Sequence, residues 1–384
     1  MGPLKGLRIV EMAGIGPAPF CAMLLSDMGA EIIRVDRREK TDLGLPGKEP
    51  KFDVLHRGRR SVSVDVKSEA GRDVVRRLAT KADALIEGFR PGVMERLGLG
   101  PETLLAANPK LVFGRMTGFG QEGPMAPRAG HDINYIALAG ALHTIGRKGE
   151  APMPPLNLIG DFGGGGMLLA FGVVCALLEA RISGKGQVVD AAMVDGSALL
   201  MSAIYGFYAQ GTWKDERGVN ILDTGAPYYN VYETKDGKWV SIGSIEQRFY
   251  DDLLGRLGVA GEDLPEQHEQ TGWPKLARRF AEVFKTKTRA EWEKVFAGSD
   301  ACFAPVLSLS EVAAYPHNAE RQAFVTRDGV MQPAPAPRFS RTTAEMGVPP
   351  CELGVDTDIV LAEFGFGREE IADLKKRSVI GAQT

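Results

Sequence analysis

The sequence predicts an α/β protein: a parallel, doubly wound sheet in a large domain, followed by a smaller α+β domain. Three observations carry this. Short apolar runs alternate with helical patterns through the first third of the chain. From about Tyr228 that grammar changes to strand, turn, strand. The run Gln332-Pro333-Ala334-Pro335-Ala336-Pro337 then reads as an extended linker ahead of a last helix.

Leu7 to Met12 reads as a buried strand, and Pro17 to Met28 as a helix with Pro in its first turn and Gly29 as its stop. Glu31 to Asp36 is a second strand, and Ser61 to Val66 alternates like a third. Ser68 can cap a helix reaching about Ala79. Ala84 to Gly88 is a strand; a short helix around Glu102 to Ala107 leads into another, Leu111 to Met116. Gly130 to Tyr135 opens an apolar helix, Ile136 to Leu142. Phe162 to Leu178 is the longest apolar stretch; it reads as a buried helix, shorter than a membrane span needs. Tyr228 to Thr234 and Lys238 to Gly243 form a hairpin across Lys235-Asp236-Gly237. A helix follows from Gln247 to Leu257, another starts at Thr288 with Glu291 at capping-box spacing, and the last spans Arg368 to Arg377. The expected division is a large domain over 1–210, a linker over 211–226, the small domain over 227–320, a Pro-rich linker over 321–349 and a C-terminal segment over 350–384.

Composition narrows the function. A chain of 384 residues with 44% apolar and 25% charged residues is neither disordered nor collagen-like. Lys plus Arg is 46 against 49 for Asp plus Glu, a net charge of −3, so no global positive field recruits nucleic acid. The four Cys are far apart with no CxxC pair, which favours reduced thiols in a cytoplasmic protein over disulfides or zinc. Arg8, Glu11, Asp27 and Glu31 interrupt any signal-peptide core, and Ala382-Gln383-Thr384 is not a peroxisomal address. No membrane insertion is expected.

Several motifs bear chemistry. Gly14-Ile15-Gly16-Pro17-Ala18-Pro19 is a partial dinucleotide fingerprint without its third Gly, and a tight strand-to-helix turn explains it better. Arg37, Arg38, Arg57, Arg59, Arg60, Lys67, Arg90 and Arg96 form a locally basic set near expected strand ends; each alone reads as solvated, together they suit a phosphorylated small molecule. His131 stands at a helix start as an acid/base candidate or, equally, a capping histidine. Asp132 and Asn134 read as capping and orienting residues. Asp161 lies beside four glycines, Gly163 to Gly166, that could let backbone N–H groups approach a ligand. It reads as an N-cap or as a base next to an oxyanion site. Alone, Glu246 would be a solvated helix-start acid and Tyr135 a core residue.

In order, these segments resemble the family III CoA-transferases, and within them the racemase branch. The resemblance covers nearly the whole chain. It is carried by Leu7-Arg8-Ile9-Val10-Glu11, the run Asp27 to Asp36, Gly88-Phe89-Arg90-Pro91-Gly92, Gly130-His131-Asp132-Ile133-Asn134-Tyr135, Gly160-Asp161-Phe162-Gly163-Gly164 and the run Gly184 to Asp190. It implies an interlocked homodimer whose chains each have a large Rossmann-like domain and a small one, with the last segment returning to the large domain. The site would lie between the large domain of one chain and the small domain of the other, bringing Glu246 to His131. Residues matching the branch's CoA contacts are Arg37, Val64, Asp65, Val66, Lys67, Gly88, Phe89, Arg90 and Arg96, with Gly130, Asp132, Ile133 and Asn134 at the thioester.

The implied reaction is 1,1-proton transfer at the α-carbon of a 2-methylacyl-CoA thioester through an enolate. His131 and Asp161 are the bases on opposite faces; Glu246 and Tyr135 orient His131. N–H groups at the helix start near Asp161 stabilise the enolate. CoA is part of the substrate, and no metal or other cofactor is implied. In the transferase branch the aspartate matching Asp161 forms a mixed anhydride and the residue matching His131 is usually aromatic. Here the pattern is Gly-His-Asp-Ile-Asn-Tyr, although the segment after Gly347 resembles a transferase-type tail. CoA transfer is therefore the first alternative and non-catalytic acyl-CoA binding the second.

Overall fold

The computed structural model describes residues 2–39 and 49–382, so Gln383 and Thr384 of the C-terminal tripeptide lie outside the described residues. The chain divides into two compact units. One comprises 1–139, 156–200 and 322–384; the other comprises 140–155 and 201–321. Against the expected division, 140–155 and 201–210 fall in the second unit, and 322–349 belong to the first rather than forming a linker.

In the first unit, β1 (Arg8–Met12), β2 (Glu31–Asp36), β3 (Arg59–Ser63), β4 (Ala84–Glu87), β5 (Val112–Thr117) and β6 (Val188–Ala192) form one sheet in the order β3-β2-β1-β4-β5-β6. Every neighbouring pair is parallel. Successive strand side chains point to opposite faces, so the apolar runs feed two cores. Ile9, Ile32, Ala84 and Val112 pack on one face with Leu169 and Val173. Val10, Ile33, Leu85 and Phe113 pack on the other with Leu78 and Val360. The strand order reverses between β1 and β4, and open α/β sheets bind ligands outside the carboxyl ends of strands at such a point.

Three local expectations need correction. The strand expected over Ser61–Val66 runs instead over Arg59–Ser63, because Val35 pairs with Val62 in the parallel register. Residues 64–67 are thereby freed to form the turn that follows. The Pro-rich run is not wholly extended linker: β10 (Phe324–Arg327) and β11 (Val330–Pro333) pair as an antiparallel hairpin. Its Gln332 is buried and accepts from Arg57 Nη1 at 3.1 Å. The long apolar helix is neither short nor fully buried. It spans 26 residues, Leu158–Ser183, long and apolar enough by length and composition to cross a membrane. Its first ten residues, Leu158–Met167, are π-helical. Leu178 and Ile182 are 63% and 82% exposed.

The glycines in that helix serve packing. A Cβ on Gly164 would stand 2.6 Å from Ser197 N; one on Gly166 would stand 2.6 Å from Pro17 O. The run therefore lets the helix lie against the chain's own backbone in the helices Pro17–Asp27 and Met193–Leu200, not against a ligand as the composition suggested.

The C-terminal segment covers the outer edge of β3. Ser61 N–H donates to Asp356 Oδ2 at 2.8 Å and Ser63 N–H to Thr357 Oγ1 at 3.1 Å, while Gly381 N–H donates to Ser63 O at 3.1 Å.

In the second unit, β7 (Tyr229–Glu233), β8 (Trp239–Gly243) and β9 (Phe303–Val306) form an antiparallel sheet in that order. Tyr232, Phe280, Phe284 and Trp292 fill its core. The capping box forms as its spacing predicts: Thr288 N–H donates to Glu291 Oε2 at 2.7 Å and Glu291 N–H to Thr288 Oγ1 at 3.3 Å.

Candidate active site

The first turn beyond β1 passes through Gly14 and Gly16 into the helix Pro17–Asp27. Gly16 has φ +69°, and a Cβ there would stand 3.4 Å from Asp161 Oδ2. The incomplete dinucleotide fingerprint is thus a tight strand-to-helix turn, and it backs onto Asp161 at the point where the sheet order reverses.

Asp161 sits in the π-helical turn, half-buried. Asn157, four residues earlier, donates from Nδ2 to Asp161 Oδ2 at 3.1 Å. Leu156 before it has φ +57°, a left-handed conformation that a branched side chain rarely adopts. The Asp161 N–H is already used, donating to Asp132 Oδ2 at 2.8 Å. It is therefore not one of the donors available to an enolate, contrary to a plain reading of the helix start.

His131 is the N-cap of the helix Asp132–Leu138 and is exposed. Its N–H donates to Asn134 Oδ1 at 3.0 Å, so Asn134 caps as its position suggested. The helix ends sooner than the expected Leu142, and Gly140 follows at φ +77°. Tyr135 is buried and stands edge-on to Phe119, ring centroids 4.9 Å apart. Its hydroxyl donates to the Gly130 carbonyl, so it holds the backbone in front of His131 and not the imidazole. Gly118, just past β5, makes room for this ring: a Cβ there would overlap Cε1 and Cζ and stand 2.6 Å from Oη.

These groups share one electrostatic environment. Burial pushes the Asp161 carboxyl above the ordinary carboxylate range, and the nearby Asp132 charge adds to this; the Asn157 hydrogen bond and His131 pull the other way. The Tyr135 phenol is pushed up to about 12, by burial first and then by Asp161 and Asp132, with Arg90 opposing.

Glu246 belongs to the second unit, as the exposed N-cap of the helix Gln247–Leu257. Its turn is pinned from beneath: buried Gln267 donates to the carbonyls of Ser244 at 3.0 Å and Ile245 at 2.8 Å.

A cavity of about 540 Å³ opens at the carboxyl ends of β1 to β4, lined by Arg37, Val64, Asp65, Val66, Lys67 and Phe89 among others. Gly88, Arg90 and Arg96 are not among its lining residues. The Phe89 turn is held by Glu87, whose Oε2 accepts the Phe89 N–H at 2.7 Å while Oε1 accepts from Arg115 Nε at 2.9 Å. Ile133 is exposed beside His131.

The basic set separates into two groups. Arg57, Arg59 and Arg60 are structural. Arg57 binds Asp27 at 2.5 Å and Arg59 binds Glu11 at 3.0 Å, all four side chains buried, and Arg60 bridges Glu31 and Glu363. Arg38 Nε donates to the Gly381 carbonyl at 2.9 Å. Arg37, Arg90 and Arg96 are exposed, and none of them carries an ion pair among the described residues. Sequence reasoning missed Asn157 and Gln267. The spacing of Asn157 from Asp161 on one helix face was the available signal; for Gln267 there was none.

Residues 4–357 match the sequence profile of CoA-transferase family III. The chain is similar to the alpha-methylacyl-CoA racemase of Mus musculus, 49% identical over 383 residues, covering 98% of this chain and 97% of that protein. It is also similar to the alpha-methylacyl-CoA racemase of Homo sapiens, 45% identical over 382 residues with the same two coverages. Among solved structures, a CAIB/BAIF family protein from Brucella suis superposes with a TM-score of 0.78 at 26% identity, over 94% of this chain and 99% of that one.

Proposed function

The chain belongs to CoA-transferase family III, and from that premise we propose that it interconverts the enantiomers of 2-methylacyl-CoA thioesters by 1,1-proton transfer at the α-carbon. The observation that carries this is a histidine, His131, next in sequence to the residue that hydrogen-bonds the Asp161 backbone. Two proton-bearing side chains are thereby presented from tied segments.

A thioester α-proton is far less acidic than any protein base is strong, so the enolate must be stabilised as it forms. The N–H groups of Asp132 and Ile133, beside His131, are the donors we assign. Asp161 removes or returns the proton on one face and His131 on the other. A carboxylate held above its usual range is a stronger base once ionised, which suits Asp161 to this step. We assign the 540 Å³ cavity, with Arg37 and Lys67 at its wall, to the CoA moiety. Arg90 and Arg96 serve as further phosphate contacts. Glu246 orients His131 from the second chain of an interlocked homodimer. The exposed Phe171, Leu178 and Ile182 of one helix support that a second copy covers this face. The reaction needs no cofactor beyond the CoA of its substrate, and we place it in the cytoplasm, without membrane insertion.

The test is incubation of each pure enantiomer in D₂O with NMR at the α-position. Racemisation with α-deuterium incorporation from both is expected. Asp161→Ala and His131→Ala should each lose racemisation while keeping slow exchange of one enantiomer, a different one in each case. A CoA-transferase would instead yield an acyl anhydride on Asp161, trapped by hydroxylamine, and would lose everything in Asp161→Ala and little in His131→Ala. A binding protein would leave α-deuterium untouched.

A further inference from the structure

We propose that the Asp132 side chain is a positioning residue that holds the Asp161 segment in register with His131; this rests on the racemase reading. Asp132 follows His131 directly, and its Oδ2 accepts the Asp161 N–H at 2.8 Å, joining stretches 29 residues apart. Gly160 makes the approach possible, since a Cβ there would stand 2.7 Å from Oδ2 and 2.9 Å from Cγ of Asp132. The carboxylate is not a solvated helix-start acid: Asp132 is 5% exposed, and its Oδ1 is buried with no hydrogen-bond partner. Burying a carboxylate with an unpartnered oxygen is costly, so a compensating function is expected of it. What the side chain secures is the separation between the two bases. Proton transfer tolerates little error there, since a displacement of about 1 Å costs on the order of 10²-fold in rate.

The experiment compares wild type, Asp132→Ala, Asp132→Asn and Gly160→Ala by racemisation kinetics and by α-deuterium exchange of each enantiomer. Asp161→Asn identifies the enantiomer that depends on Asp161. Asp132→Ala should lower kcat about 10- to 100-fold with KM for acyl-CoA within about threefold. Its loss of exchange should fall on the Asp161-dependent enantiomer. Asp132→Asn keeps an acceptor oxygen for the Asp161 N–H and should recover most of kcat. Gly160→Ala displaces the same carboxylate from the other side and should reproduce the selective loss, which keeps the test decisive if Asp132→Ala does not fold. A loss confined to KM, an equal loss for both enantiomers, or an Asn variant as impaired as the Ala variant would overturn the proposal. Wild-type protein that exchanges neither enantiomer would overturn the racemase reading, and this proposal with it.

Discussion

Gly118→Ala adds one methyl group, yet it should disable the site from behind. The new Cβ would overlap Cε1 and Cζ of Tyr135 and stand 2.6 Å from its hydroxyl. The ring has little room to retreat, because Tyr135 is 6% exposed and Phe119 stands edge-on at 4.9 Å. Forcing a methyl into such packing costs about 1–3 kcal/mol. If the ring swings, the hydrogen bond to the Gly130 carbonyl is lost as well, roughly another 1 kcal/mol. At roughly 2–4 °C per kcal/mol for a unit of this size, Tm should fall on the order of 4–16 °C. Gly130 immediately precedes His131, so kcat should fall about 10- to 100-fold with KM nearly unchanged. The assay is a double-mutant cycle with Tyr135→Ala, read by thermal melt and by racemisation rate. Once the ring is gone, Gly118→Ala should cost less than about 0.5 kcal/mol. Equal cost with and without the Tyr135 ring would refute the wedge.

Arg90→Ala and Arg37→Ala should raise KM for acyl-CoA roughly 10- to 100-fold with kcat little changed, since phosphate contacts bind ground and transition states alike; a collapse of kcat at constant KM would remove them from the CoA assignment. Arg57→Ala should behave oppositely, destabilising by about 3–5 kcal/mol in denaturant melts without changing KM, because it strands Asp27 buried and unpaired. Asp161→Asn should stabilise the unliganded protein at pH 7. Burial raises the Asp161 pKa above its ordinary 3.8, so the folded state holds the proton to higher pH than the unfolded state and loses stability as pH rises through that window. The Tm gain should therefore vanish below about pH 3.9, where both states are protonated; a gain of equal size there would show that charge is not its source.

Much of the sheet was legible because strands buried on both faces leave unmistakable apolar runs. β2 and the helix Gln247–Leu257 fall where the sequence puts them, residue for residue. The arginines were not legible. Arg57 and Arg59 read as surface charge because their partners, Asp27 and Glu11, lie 30 and 48 residues away, and no local pattern encodes such pairs. The glycine run misled for a related reason: glycine permits close approach but does not say to what, and here Pro17 and Ser197 take the space. At the site, residue chemistry left His131 and Asp161 each balanced against a capping role. Resemblance supplied their roles in the reading. The tie between their segments through Asp132 depends on a contact across 29 residues, which only three-dimensional placement reveals.

The covering of β3 by the end of the chain also orders events during synthesis. Ser63 waits for Thr357, 294 residues further on. At about 5–20 residues per second, that leaves the strand edge open for on the order of 15–60 s on the ribosome. An open edge is a template for pairing with another chain. The strand enters that interval carrying Arg60 near its start, and charge is what discourages edge-to-edge association. Only when the end of the chain emerges does Arg60 find Glu363. The same arginine thus guards the nascent edge first and fastens its cover afterwards.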